Sequence, residues 1–142
     1  MSGKIYQWTD LTESQTIKTE ICVIGSGCGG ATVAKKLAEQ GHDVIILERG
    51  GYYSENGFDQ DELNMNAKLS ADRSLGSSAD GGTLLLSGNN VGGASVHYWA
   101  DSDRTPQDRL ELWADEYGLE GHDLNALTPT WDELTSNLNV HP

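Results

Sequence analysis

Three glycines, one carboxylate and one histidine carry most of the chemistry this sequence can do. Gly25, Gly27 and Gly30 are spaced as G-x-G-x-x-G in the stretch ICVIGSGCGG. That spacing points to dinucleotide binding only when a buried strand precedes it and a helix follows, because phosphates are then held by unpaired N–H groups and the dipole at the helix N-terminus. Gly25 would permit the tight turn, Gly27 would let the backbone approach a pyrophosphate with no Cβ in the way, and Gly30 would let helix and strand pack closely. Glu48 follows Gly25 by 23 positions, close to the roughly 20 at which this fingerprint places an acidic residue on ribose hydroxyls. A carboxylate there would repel a 2′-phosphate, which disfavours NADP. The plain alternative is a glycine-rich turn that binds nothing, with Glu48 a surface charge. Cys28 falls at the helix start, where a dipole lowers a thiol's pKa, but a small packed side chain suits the turn equally well.

The elements that would position these residues are legible around them. Glu20 to Ile24 ends in ICVI, continuously apolar as expected for a parallel strand buried on both faces. Ala31 to Gln40 reads as a helix with Val33, Ala34, Leu37 and Ala38 on one face, while Lys35, Lys36, Glu39 and Gln40 face water, and Gly41 stops it. Val44 to Leu47 is a second apolar strand. Strand, glycine turn, helix and strand make a βαβ unit, whose crossover should be right-handed. Before it, residues 1–18 read as a polar lead-in arm with Tyr6 and Trp8.

Further along, a surface helix is expected over Asp59 to Arg73, a loop over residues 74–82, and a short strand over Thr83 to Leu86. A second glycine cluster follows in SGNNVGGASVHYW, where adjacent Gly92 and Gly93 suit another close approach of backbone to a large cofactor. Taken alone, it is equally a structural glycine bend. Pro106 to Tyr117 reads as a helix with Pro at its first position after a Thr105 cap, and with Leu110, Trp113 and Tyr117 on one face. Thr130, with Glu133 three residues later, reads as a capping box starting a short helix through Leu138.

Composition narrows the class. At 142 residues the chain has the size of one domain, and roughly 70% of the unfolded chain's surface should be buried, enough for a core. It is 37% hydrophobic, 22% charged and 7% aromatic, which excludes collagen-like, mucin-like and disulfide-scaffold classes and leaves an α/β or α+β protein. No run approaches the roughly 20 apolar residues of a membrane span, and the first 20 residues do not read as a secretory signal, so a cytoplasmic location is expected. Cys22 and Cys28, without a nearby Cys/His set, give no metal site and no disulfide framework. His42, His122 and His141 read as solvated. With 22 Asp plus Glu against 9 Lys plus Arg, the formal net charge of −13 would repel nucleic acid and anionic lipid. That acidity is either an ordinary surface or an adaptation to high salt, where self-repulsion is screened.

With both glycine segments in place, the sequence resembles a known family. GSGCGGATVAKKLAEQGHDVIILERG looks like the FAD-binding N-terminus of flavin oxidoreductases. SGNNVGGASVHYW, followed by Arg104 to Pro106, Trp113 and Gly118 to Gly121, looks like the glucose-methanol-choline (GMC) oxidoreductases. The resemblance runs from about residue 18 to the end. It implies an α/β fold, a partial Rossmann-like FAD-binding domain over residues 19–142 with a helical and loop excursion. It also implies FAD-dependent oxidation of an alcohol, in which a base takes the hydroxyl proton while hydride passes to flavin N5.

Carried over by position, Gly25, Gly27 and Gly30 would hold the FAD diphosphate and Glu48 the adenosine ribose, with Ser26, Cys28, Gly29 and Arg49 also among the cofactor-binding residues. Val91, Gly92, Gly93 and Ser95 would lie on the flavin side. His97 falls where some members carry a histidine bonded covalently to the flavin and many others an aliphatic residue; a histidine packed beside noncovalent flavin is the alternative. Several relatives have asparagine next, where this chain has Tyr98 and then Trp99, which puts that flavin contact in doubt. The family's catalytic histidine and its partner lie in the C-terminal part of a much longer chain, so no catalytic residue is expected here. The expected role is the FAD-binding portion, a fragment or split subunit working with a separately encoded C-terminal catalytic chain, with a small-molecule alcohol as substrate only in the complete enzyme. An NAD-binding Rossmann module and a non-catalytic nucleotide-binding subunit are the competing readings.

Overall fold

The computed structural model describes residues 3–98 and 100–141; Trp99 lies outside them, as do residues 1, 2 and 142. The chain gathers into two compact units, residues 1–98 and residues 99–142.

In the first unit, strand β1 (Ile21–Ile24) and strand β2 (Val44–Leu47) pair in parallel, Ile21 opposite Val44 and Ile24 opposite Leu47. Helix α1 (Cys28–Glu39) connects them and packs on both. It begins three residues before Ala31, because Cys28, Gly29 and Gly30 of the glycine turn form its first turn. Gly25 adopts φ +91°, a left-handed conformation costly for any residue with a Cβ, and so turns the chain from strand into helix. Gly41, at φ +94°, ends the helix as expected.

The expected burial of both strand faces does not hold. Ile21 and Val23 are half-buried while Cys22 and Ile24 are exposed, Ile24 at 87%, because the packing of α1 leaves the outward side chains uncovered. The expected core is also smaller than chain length suggests: among the described residues, Ala34, Leu69, Ala71 and Leu110 are the buried apolar ones. The chain exposes 11487 Å², whereas two separate compact bodies of these lengths would expose about 8,500 Å². The apolar surface of β1 and β2 is therefore left largely uncovered by these residues.

Helix α2 (Glu62–Leu69) is shorter than the expected 59–73. Asp61 caps it, its carboxylate accepting the N–H of Asn64 at 2.9 Å. It stops because the backbone beyond is taken by another segment: the N–H of Ala71 donates to Ser87 O at 2.8 Å and the N–H of Asn89 to Leu69 O at 2.7 Å. Asp72, Arg73 and Ser74 then turn with positive φ. Thr83 to Leu86 is not a strand. Leu84 makes an isolated antiparallel bridge to Ser77, and Leu84, Leu85 and Leu86 are exposed, so the apolar run has no sheet to join.

In the second unit, helix α3 (Gln107–Tyr117) starts one residue later than expected, with Pro106 rather than Thr105 at the cap position and no side-chain cap. Leu110 is buried, but Tyr117 is exposed rather than on a covered face. Helix α4 (Leu124–Asn137) begins well before Thr130. Asp123 caps it, accepting from the Ala126 N–H at 2.9 Å, and Pro129 sits inside the helix. The Asp123 cap fixes where the helix starts, and Pro129 is accommodated within it although proline usually breaks a helix interior. Arg104 binds Asp132 at 2.8 Å and Thr135 Oγ1 at 3.2 Å, and its guanidinium lies 6.0 Å from the centre of the Trp131 ring.

Candidate functional site

The two glycine segments, far apart in sequence, meet at the ends of β1 and β2. Gly92 adopts φ +92° and opens a tight turn over Gly93–Val96. A Cβ on Gly93 would lie 3.0 Å from the Cα of Gly27, so the two loops touch backbone to backbone. The return of the chain past β2 is equally close: the N–H of Val91 donates to Gly51 O at 2.9 Å, and a Cβ on Gly50 would collide with the backbone of Asn89 and Asn90.

Ser26 joins these parts. It is 8% exposed, and its hydroxyl donates to Glu48 Oε2 at 2.7 Å while accepting the N–H of Gly92 at 2.9 Å. Its own N–H donates to the same Oε2 at 2.8 Å, and the N–H of Gly50 donates to Oε1 at 2.7 Å. Burial pushes the Glu48 carboxyl up, but the N–H of Gly50, both donors of Ser26 and the N–H of Arg49 together outweigh it and hold the group below the usual glutamate range. Glu48 is thus a fixed, ionised acceptor.

A groove of about 660 Å³ opens over this junction, lined in part by Gly25, Gly27, Glu48, Arg49, Asn90 and Gly93. Gly27 caps α1 without a side-chain hydrogen bond, so the N–H groups of Cys28, Gly29 and Gly30 have no intrahelical acceptor. A Cβ on Gly27 would meet no non-neighbouring atom within 4 Å, leaving the space above it open. Open N–H donors at a helix N-terminus, a groove beside them and no acidic residue in the first helical turn suit a diphosphate. A fixed carboxylate on the same groove suits a ribose.

Five residues expected at the site, Gly25, Gly27, Glu48, Arg49 and Gly93, line this groove. Ser26 stands behind it as a brace, and Gly30 packs α1 onto the turn, where a Cβ would collide with Gly25 O. Ser95 donates to Gly92 O at 2.5 Å and so serves the turn. Val91 and Cys28 are exposed beside these segments. His97 is placed elsewhere: with Phe58, Met65, Leu69 and Val96 it lines a second groove, its Nε2 buried without a partner. Two residues of this region were not anticipated. Gly50 is needed for the crossing chain, and Asn90 is 2% exposed on the groove's lining. Their only signal in the sequence was their place inside the two glycine-bearing stretches, one ending at Gly50 and the other containing Asn90. No group of three or more candidate metal ligands occurs among the described residues.

A parallel βαβ unit whose glycine turn, carboxylate and second glycine segment converge on one groove defines an α/β nucleotide-binding protein. The chain belongs to the GMC oxidoreductases: the family matches residues 5–142, which correspond to its N-terminal, FAD-binding portion, and FAD is its cofactor. Two long-chain-alcohol oxidases of Arabidopsis thaliana are similar, one 35% identical over 84% of this chain and 16% of its own, the other 31% identical over 87% and 17%. A 6‴-hydroxyparomomycin C oxidase of Streptomyces lividus is 35% identical over 60% of this chain and 15% of its own. The chain therefore spans about a sixth of the length of these Arabidopsis thaliana relatives. Among the described residues, no helix is long and apolar enough to cross a membrane.

Proposed function

We propose that this chain supplies the FAD-holding part of a flavin-dependent oxidoreductase acting on an alcohol CH–OH donor. The base that takes the hydroxyl proton would come from protein outside these 142 residues, either later residues of the same polypeptide or a separately encoded C-terminal chain. The single observation that carries this reading is the convergence of the uncapped α1 N-terminus, Glu48 and Gly93 on one groove. The names of the Arabidopsis thaliana relatives support an alcohol as the substrate class.

In this reading the N–H groups of Cys28, Gly29 and Gly30 bind the diphosphate, and Gly25 and Gly27 keep the backbone out of its way. Glu48 accepts from the adenosine ribose, with Ser26 holding the carboxylate in place and Arg49 beside it. Val91, Gly92, Gly93 and Ser95 lie toward the flavin, which when bound supplies the acceptor for hydride. The open apolar face of β1 and β2 is covered by the remainder of the enzyme.

The test is to mix the chain with FAD or with NAD and measure the absorbance retained after gel filtration. FAD should be retained weakly by the chain alone and more firmly once the C-terminal portion of a GMC enzyme is added, with alcohol-dependent dye reduction only in the mixture. Retention of NAD instead, or dye reduction by the chain alone, would overturn the proposal.

A further inference from the structure

Asn56 is the one asparagine of this chain that is followed by glycine. The pair sits in a single 3-10 turn over Glu55–Gly57, and both residues are exposed. Two backbone hydrogen bonds hold the turn, from the Gly57 N–H to Ser54 O at 2.8 Å and from the Phe58 N–H to Glu55 O at 3.3 Å. No side chain caps it, and none of its residues is buried. Such a turn has little packing to lose and opens at small cost, which frees the Gly57 nitrogen from Ser54. Glycine then offers no Cβ to hinder the approach of that nitrogen to the side-chain amide of Asn56.

From this we infer that Asn56 is a site of spontaneous deamidation, with the backbone nitrogen of Gly57 as the internal nucleophile. That nitrogen loses its proton and bonds to Cγ of Asn56, Nδ2 leaves as ammonia, and a cyclic imide closes. Water then opens the imide at either carbonyl, leaving aspartate or its β-linked isomer. The balance is one water consumed and one ammonia released, with nothing oxidised or reduced. The product carries one more negative charge, close in sequence to Glu55, Asp59 and Asp61, in a chain whose net charge is already −13. The β-linked isomer also adds a methylene to the main chain just ahead of Phe58, which lines the second groove with Met65 and His97. The fold sets the rate, because Ser54 must release the Gly57 N–H before the nitrogen can react.

The experiment incubates the intact 142-residue chain in mildly alkaline buffer, with and without urea, and follows the peptide containing Asn56 by mass spectrometry. Enzymatic methylation of β-linked aspartate marks the isomer that only the imide route produces. Wild type should accumulate both products at position 56 in buffer, and faster in urea, where the turn is gone. Asn56→Gln should abolish them. Gly57→Ala should slow their formation severalfold; a Cβ there would meet nothing within 4 Å, so this variant tests the chemistry without disturbing the fold. Conversion in urea alone, or none in either condition, overturns the inference. Aspartate without its β-linked isomer, or an unchanged rate in Gly57→Ala, overturns the part given to the Gly57 nitrogen, and equal rates in buffer and urea overturn the part given to the turn.

Discussion

The hydroxyl of Ser26 reaches Glu48 Oε2 at 2.7 Å from 22 residues away and, through the same oxygen, accepts the N–H of Gly92 at 2.9 Å. One small side chain therefore ties the phosphate-loop segment, the end of β2 and the second glycine segment together. Ser26→Ala should remove the donor to Glu48 and leave the Gly92 N–H without its acceptor. The expected cost is about 1–3 kcal/mol, the penalty of one buried group left unpaired. Thermal or urea unfolding of the variant measures it, and a loss well below this range would mean that the junction does not depend on the hydroxyl.

Two glycines of the same motif should separate binding from folding. A Cβ on Gly30 would collide with the backbone oxygen of Gly25, which no side-chain rearrangement can relieve, whereas a Cβ on Gly27 meets nothing outside its neighbours within 4 Å. Gly30→Ala should destabilise the fold by on the order of 1–3 kcal/mol or more. Gly27→Ala should cost about 1 kcal/mol or less yet weaken FAD retention at least tenfold, a loss of about 1.4 kcal/mol in binding. Melting curves paired with FAD titrations check both. The opposite ranking would place the contact surface somewhere other than Gly27.

Glu48 gives a pH dependence of known sign. Its carboxyl is held below the usual glutamate range by donors that outweigh its burial. A group whose pKa is depressed on folding binds fewer protons in the folded state, so its stabilisation is present above the ordinary glutamate value of about 4.3 and is lost as pH falls through the lower folded value. Glu48→Gln should therefore flatten the acid limb of the stability curve while lowering stability at neutral pH. Denaturant midpoints measured from pH 7 down to pH 3 would show it; parallel curves for the two proteins would not be compatible with this role.

The net charge of −13 sets a salt response. The ion pairs of Lys35 with Glu39, Lys68 with Asp59 and Arg104 with Asp132 are exposed, where each is worth little and is itself screened by salt. Self-repulsion among the excess carboxylates is then the larger salt-sensitive contribution. Tm should rise between low and molar potassium chloride. A flat or falling Tm would argue for an ordinary acidic surface with no adaptation to high salt.

Local sequence was sufficient to specify the βαβ unit, because its signals need no distant partner. ICVI and VIIL are apolar runs of strand length, and the glycine turn and Gly41 bracket the helix between them. The same local reading failed where distant backbone competed. Asp59 to Arg73 has a helical pattern, but residues 87–89 take the hydrogen bonds of Leu69 and Ala71 and end the helix early. Thr83 to Leu86 has strand residues but no sheet edge to join.

At the site, the sequence by itself determined the glycines and the acidic residue, since a turn, a close approach and a carboxylate each demand a particular residue type at a particular place. Only tertiary structure decided that Ser26 braces Glu48 against Gly92, that Asn90 lies on the groove, and that His97 lines a different one. These relations depend on two loops more than sixty residues apart meeting within hydrogen-bond distance. Nothing in residue spacing encodes such a meeting; it follows from where the ends of two paired strands bring the chain.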